Sequence, residues 1–183
     1  MRTEILKAFE VLEQNRLDLF RRLDGVDSGF LTIPEKEGLW SVNQVLTHLS
    51  ISELGTLRYV KKKMQGLDSL KSRDAFSQLR AVFLKWMLKS SLKFKMPKQL
   101  PPPTSDISYE ELKMQFSKHR EELRVLLESF PEEGLDLLVF KHPFAGRFSL
   151  LQTVAFLDHH FSHHLKQIDR ILREVEDRGN SKD

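Results

Sequence analysis

Three motifs that begin helices, each followed by a long apolar stripe, are the strongest constraint on how this chain folds. In each motif a serine precedes a glutamine or glutamate by three residues, and such a capping box satisfies free amides in the first turn of a helix. The motifs are Ser41–Gln44, Ser108–Glu111 and Ser149–Gln152. They predict helices over 41–65, 108–129 and 149–176, with Gly66 and Gly179 following two of them as stops.

Apolar residues at intervals of three and four predict two further helices, over 3–24 and, less regularly, over 75–91. Only 8 glycines and 7 prolines occur among 183 residues, so few positions favour turns. The predicted fold class is therefore all-α. We expect a four-helix bundle with long connections, at 25–40 and 130–148, and one additional short helix.

The composition is typical of one folded domain, which we place over 1–183 with a short polar tail from about residue 177. The chain is 40% hydrophobic and 30% charged, which is too apolar for disorder and too charged for a membrane protein. The first residues mix charges into an amphipathic pattern and lack the apolar core of a secretory signal, so we expect a cytoplasmic protein. The absence of cysteine excludes thiolate nucleophiles and sulfur ligands from cysteine.

The charge pattern gives little support to nucleic acid as a partner. The net charge is only +3, and no recognised nucleic-acid motif is present. A local basic cluster lies beside several prolines, which exclude regular structure there; it comprises Lys89, Lys93, Lys95 and Lys98. We interpret it as a solvated loop in preference to an anion-binding patch.

Four of the seven histidines fall in one six-residue stretch of the last predicted helix, 159–164. They form two pairs at i, i+4, and either pair could hold one metal ion because such residues share a helix face. The apolar stripe of this helix lacks one member, at position 164, and His160 lies one turn earlier on its flank. The pattern therefore places His160 and His164 towards the core, and His159 and His163 towards solvent.

A histidine in a core position must either be satisfied by hydrogen bonds or bind a ligand. His48 is the best candidate for a third ligand beside His160 and His164, because it flanks the apolar stripe of the second helix. Three imidazoles without cysteine suit zinc, nickel, iron or copper. Such a set leaves an open coordination position, which is typical of catalytic sites.

Other polar and aromatic residues suggest weaker roles. We expect Glu53 to form a buried hydrogen bond in preference to ligating metal, and Gln167 to orient a ligand from the next turn. His142 could line a site entrance, although an ordinary loop histidine is the simpler interpretation. The bulky side chains of the short helix are interpreted as core; they are Phe76, Phe83 and Trp86.

Four stretches, taken in order, resemble the DinB/YfiT-like family of metalloenzymes. They are 40–49 followed by Glu53, the prolines and lysines from 93 onwards, 142–151, and 160–168 with its spacing of two histidines, glutamine and isoleucine. The resemblance implies a four-helix bundle and a divalent metal on the matching residues His48, His160 and His164. It also implies thiol-dependent S-transfer or isomerisation as activities of the family.

Two functions follow as expectations. The first is a metal-dependent enzyme, a transferase or hydrolase acting on a small molecule, and its specific form is an S-transferase using a low-molecular-weight thiol. Because the chain has no cysteine, the thiol would come from solution. The alternative is a non-catalytic, metal-stabilised helical dimer or stress-response binding module. We expect a homodimer in either case, since the family often pairs and the short helix has apolar surface to spare.

Overall fold

The structure, a computed structural model, describes residues 1–89, 103–104 and 106–180. Within these ranges five α-helices account for most of the chain, and they are α1 (Arg2–Leu23), α2 (Val42–Met64), α3 (Ala75–Lys89), α4 (Tyr109–Ser129) and α5 (Leu150–Asn180). Two short strands, β1 (Phe140–His142) and β2 (Gly146–Phe148), precede α5. None of the described helices is long and apolar enough to cross a membrane.

Helices α1, α2, α4 and α5 form a closed ring in which each helix packs against two others: α1 against α4 and α5, and α2 against the same pair. The apolar stripes that predicted these helices meet inside the ring, where large side chains such as Phe9, Phe116 and Phe161 are fully buried. Helix α3 lies outside the ring against α5. The predicted four-helix bundle with one additional short helix is confirmed.

The capping boxes begin the helices as predicted. At α2, Ser41 Oγ accepts from the Gln44 amide and Gln44 Oε1 accepts from the Ser41 amide. At α5, Gln152 Oε1 accepts from the Ser149 amide at 2.9 Å. At α4 only the serine half of the box is made, through Ser108 Oγ. These caps fix where α2 and α5, the helices that carry His48, His160 and His164, begin.

The connection at 130–148 contains a β-hairpin that the sequence analysis did not predict. Strands β1 and β2 pair antiparallel, with Phe140 opposite Phe148 and His142 opposite Gly146. Gly146 has φ +82°, a conformation that glycine adopts without strain. Strands of three residues are too short for an alternating pattern to stand out, so the sequence alone predicts only a connection here.

Helix α5 extends further than predicted, because it continues through Gly179 to Asn180 instead of ending near residue 176. The polar tail expected from about residue 177 is therefore helical as far as 180. A glycine inside a helix costs only about 1 kcal/mol relative to alanine, which does not by itself end a helix. Arg178 also joins this last turn to the 25–40 connection, since its Nη2 donates to the Pro34 carbonyl at 2.9 Å.

The interpretation of the bulky residues of α3 as core is wrong. Phe76, Phe83 and Trp86 are 71%, 56% and 63% exposed. Because α3 packs from outside the ring, only Ser77, Leu84 and Leu88 of this helix are buried. Most of the predicted basic cluster (Lys93, Lys95 and Lys98) lies outside the described residues, and Lys89 is exposed at the end of α3.

Candidate metal centre

Two helices of the bundle bring three histidine side chains together. His48 lies in the second turn of α2, and His160 and His164 lie one turn apart on α5. One ligand atom from each residue lies within 4.8 Å of the others. Within the described residues this is the one group of histidine or carboxylate side chains that could share a metal ion. The predicted convergence of these three residues is confirmed.

The spacing of the His48 and His160 imidazoles fits two ligands in the first coordination shell of a small divalent ion. His48 Nε2 and His160 Nε2 are 3.2 Å apart. At metal–nitrogen distances of about 2.05 Å, two ligands of a tetrahedral ion are separated by about 3.3 Å. The same 3.2 Å also suits an N–H···N hydrogen bond between neutral imidazoles, so a proton can take the place of the ion between these two rings.

Burial keeps the three imidazoles neutral, which is the form that binds metal. Desolvation lowers the pKa of His48 to about 4 and that of His164 to about 3. The pKa of His160 lies well below its ordinary value, because this ring is buried and faces the other two. A protonated imidazole in the cluster would carry a desolvated positive charge, and it would be repelled by any positive charge on the neighbouring histidines.

Gln167 fixes the tautomer of His164, as the sequence predicted. His164 Nδ1 is 2.9 Å from Gln167 Oε1, one turn further along α5. A carbonyl oxygen can only accept, so Nδ1 carries the proton and Nε2 keeps a free lone pair. Hydrogen bonds of this kind orient the histidine ligands of metal sites and make them more basic.

The cluster lines a cavity of about 860 Å³ with mostly apolar walls. The Trp40 ring packs on His48 with centroids 5.3 Å apart. The Phe156 ring stacks on His160 at 5.6 Å, with the planes 17° apart. Other parts of the lining come from the hairpin and from α3, including Phe140, Phe144, Phe83 and Leu84. This volume accommodates a small molecule beside the histidines.

The prediction that His159 and His163 are solvated is wrong. His163 is half-buried, lines the cavity, and its Nδ1 donates to the Leu88 carbonyl at 2.8 Å. His159 is also half-buried, and its Nδ1 lies 3.5 Å from Asp158 Oδ2. The cause is α3, which packs against α5 and covers a helix face that the bundle alone would leave open.

His142 is a cavity residue, and the simpler interpretation as an ordinary loop histidine is wrong. It lies in β1, is only 9% exposed, and packs edge-on against Phe156 at 4.7 Å. Its Nδ1 accepts from the amides of Phe144 and Ala145 at 3.2 and 3.0 Å. Burial lowers its pKa to about 4, so the ring is neutral with its proton on Nε2. None of the described residues bonds that Nε2.

Glu53 is a structural residue, as predicted, and its partner was not identified from the sequence. Its Oε1 accepts from Arg120 Nε at 2.6 Å, and both side chains are almost fully buried. Arg120 also donates to the Leu12 carbonyl at 2.8 Å. The Glu53–Arg120 pair joins α1, α2 and α4 at a position five residues after His48, so it holds the helix that positions this histidine.

Comparison with known proteins places the chain in a family. Residues 11–168, which include all three histidines, match the sequence model of the DinB superfamily. The chain belongs to the DinB superfamily. It is 25% identical over 167 residues to the uncharacterized protein YuaE of Bacillus subtilis (strain 168), a match that spans 91% of this chain and 98% of that protein.

A solved structure supports the fold of this DinB superfamily member. The crystal structure of TT2238, a four-helix bundle protein, superimposes with a TM-score of 0.59. The match covers 91% of this chain and 98% of that chain, at 20% sequence identity. The likeness establishes the bundle alone. The arrangement of the histidines in the present chain carries the functional argument.

Proposed function

We propose that the chain binds a divalent metal ion, zinc, nickel or iron, through His48, His160 and His164. The observation that carries the proposal is the convergence of three neutral imidazoles on the wall of a cavity. Their 3.2 Å contact, their lowered pKa values and the Gln167 hydrogen bond all suit metal ligation. Because neutral nitrogen ligands bind several divalent ions, the identity of the bound metal depends on which ion is available as much as on the geometry of the site.

The reaction we propose is transfer of a low-molecular-weight thiol to an electrophilic small molecule. An ion held by three protein ligands keeps open positions and lowers the pKa of a thiol or water that occupies one. The thiol loses its proton to solvent, and its sulfur forms a bond to an electrophilic carbon whose leaving group departs with the bonding electron pair. The same site with water in place of the thiol would be hydrolytic.

The residues of the cavity wall would bind the substrate and exclude water from it. The rings of Trp40 and Phe156 pack on two of the three histidines and shield them on one side. The remaining apolar walls would hold the carbon skeleton of the substrate near the open coordination positions. The chain has no cysteine, so the sulfur must come from a dissolved thiol. Reduced thiols are abundant in the cytosol, and a cytoplasmic location is part of this proposal.

The test begins with elemental analysis of the purified protein. It continues with turnover of 2-mercaptoethanol and 1-chloro-2,4-dinitrobenzene, followed by absorbance of the thioether. We expect about one metal ion per chain, and a rate that falls to background in His48→Ala and persists in Arg21→Gln, a charge change outside the cavity. Metal present without any turnover or thiol binding would refute the transferase.

A second candidate, a non-catalytic metal-stabilised dimer or stress-response binding module, is favoured by one specific observation. Helix α3 exposes an apolar stripe (Phe76, Leu79, Val82, Phe83 and Trp86), and exposed patches of this kind mark association surfaces. Sedimentation velocity at micromolar concentration should show a dimer that dissociates in Trp86→Glu. A stability loss of several kcal/mol on metal removal, with no turnover, would favour this candidate over the enzyme.

A further inference from the structure

The guanidinium of Arg80 is a cation on the cavity wall with almost no partner among the described residues. Its Nε is buried and has no hydrogen-bond acceptor among the described residues. In the part of the chain that the structure describes, its one ion-pair contact is to Asp74 at 4.0 Å, at the limit of such a contact. The Nε is enclosed against the hairpin, but the Arg80 side chain is 43% exposed, so its Nη groups are the donors that a ligand in the cavity can reach.

The backbone of the hairpin provides the space that Arg80 occupies. A Cβ on Gly146 would lie 3.2 Å from both Cδ and Nε of Arg80, so the arginine passes directly over this glycine. The cross-strand partner of Gly146 is His142, whose Nε2–H is the free donor described above. Two donors, one charged and one neutral, therefore occupy neighbouring positions at the hairpin side of the cavity.

The charge of the lining favours an anion. Its cationic residues are Arg80, Lys141, Lys166 and Arg170, and the single acidic residue among the described lining residues is Glu35. Glu35 accepts from Arg170 at 2.6 and 3.1 Å, so these two charges neutralise each other. The three histidines add no negative charge. A cleft with apolar walls and uncompensated cations raises the local concentration of anions.

We propose that the cavity takes a carboxylate-bearing small molecule, whose carboxylate binds Arg80 beside the hairpin. The guanidinium matches the two oxygens of a carboxylate, and the apolar walls match an organic body. This inference rests on the proposed function only in naming a substrate class for the same cavity. The carboxylate subsite is built from α3 and the hairpin, and it requires no metal.

The test uses protein that is stripped of metal with EDTA and then dialysed free of it, because EDTA itself carries carboxylates. The probes, at pH 7.5, are phenylacetate and phenylacetamide, which share a shape and differ in charge. Isothermal titration should show phenylacetate binding about tenfold more tightly or better, as expected for a charge-assisted hydrogen bond. Arg80→Gln should reduce the ratio to about twofold without changing the affinity for phenylacetamide. Arg21→Gln, which removes one positive charge outside the cavity, should keep the full ratio.

Three results would overturn the inference: equal binding of the two probes, a preference that survives Arg80→Gln, or no binding of either probe. Tighter binding of phenyl phosphate through Arg80 would overturn the choice of carboxylate. Because EDTA removes metal from the experiment, a failure of the proposed metal chemistry leaves this result unaffected. Conversely, a failure to find the anion preference would not change the expected results of the elemental analysis and of the thiol-turnover assay.

Discussion

Lowering the pH from 7.5 to 6.0 should leave the zinc affinity of the folded protein almost unchanged. Metal competes with protons for each imidazole, so the neutral fraction of the ligands sets the pH dependence. Ordinary imidazoles with a pKa of about 6.5 are about nine-tenths neutral at pH 7.5 and about one-quarter neutral at pH 6.0. Three such ligands acting together would lose about 50-fold in affinity.

The structure lowers these pKa values, which changes the expected result. With the pKa of His48 at about 4, that of His164 at about 3 and that of His160 well below its ordinary value, all three rings stay neutral at pH 6.0. We therefore expect a change of less than about twofold between pH 7.5 and 6.0. The loss of affinity should begin only near pH 4, lower than the value near 6.5 expected for exposed imidazoles.

The measurement is zinc titration against a competing chelator whose own affinity is calibrated at each pH, with circular dichroism to confirm the fold. A synthetic peptide of residues 150–170 with His159→Ala and His163→Ala is the matched control, because its only histidines are then His160 and His164, without burial. Its affinity should fall by about tenfold over the same range. A loss near 50-fold in the intact protein would show that its histidines are not desolvated, and would refute the argument from burial.

Three further outcomes follow from the same contacts. Without metal, the free energy of unfolding should fall as the pH drops from about 6.5 towards 4, by up to about 1.4 kcal/mol per pH unit for each buried histidine, because the unfolded chain takes up protons that the folded one excludes; a flat urea-denaturation profile would contradict this. Glu53→Gln should cost about 3 kcal/mol in urea denaturation, because it removes the carboxylate that contacts the buried Arg120 at 2.6 Å and leaves this guanidinium only the 3.7 Å contact to Glu13 among the described carboxylates; a loss below about 1 kcal/mol would show that the pair is solvated. Gln167→Leu should weaken zinc binding by 10- to 100-fold by freeing the His164 tautomer, whereas unchanged zinc affinity would mean that the hydrogen bond does not orient the ligand.

The bundle and the histidine cluster could be predicted because both depend on helix periodicity. A residue in the apolar stripe of a bundle helix must face the ring, so position 164 had to point inwards, and His160, one turn away, had to lie beside it. Serine caps fixed where α2 and α5 begin. His48 could then be predicted as the third ligand, because it flanks the apolar stripe of α2.

The surroundings of the site could not be predicted in the same way. Helix α3 packs outside the ring, so its apolar stripe does not say which side it buries, and its cover over His163 was missed for that reason. The three-residue strands that carry His142 are too short for periodicity. The pairing of Glu53 with Arg120 joins residues 67 apart in the chain, and in sequence such a pair resembles two surface charges.

The central claim is that His48, His160 and His164 together hold one metal ion, and zinc titration of four single alanine variants tests it most directly. Wild type should bind one zinc per chain. Replacing any of the three should weaken binding by about 100-fold or more, and His164→Ala should also cost about 1–3 kcal/mol of apo stability by opening a core cavity. His163→Ala should keep zinc affinity within about threefold, while losing about 1 kcal/mol with the Leu88 hydrogen bond. Equal losses in His163→Ala and His164→Ala, or no zinc binding by wild type, would contradict the claim.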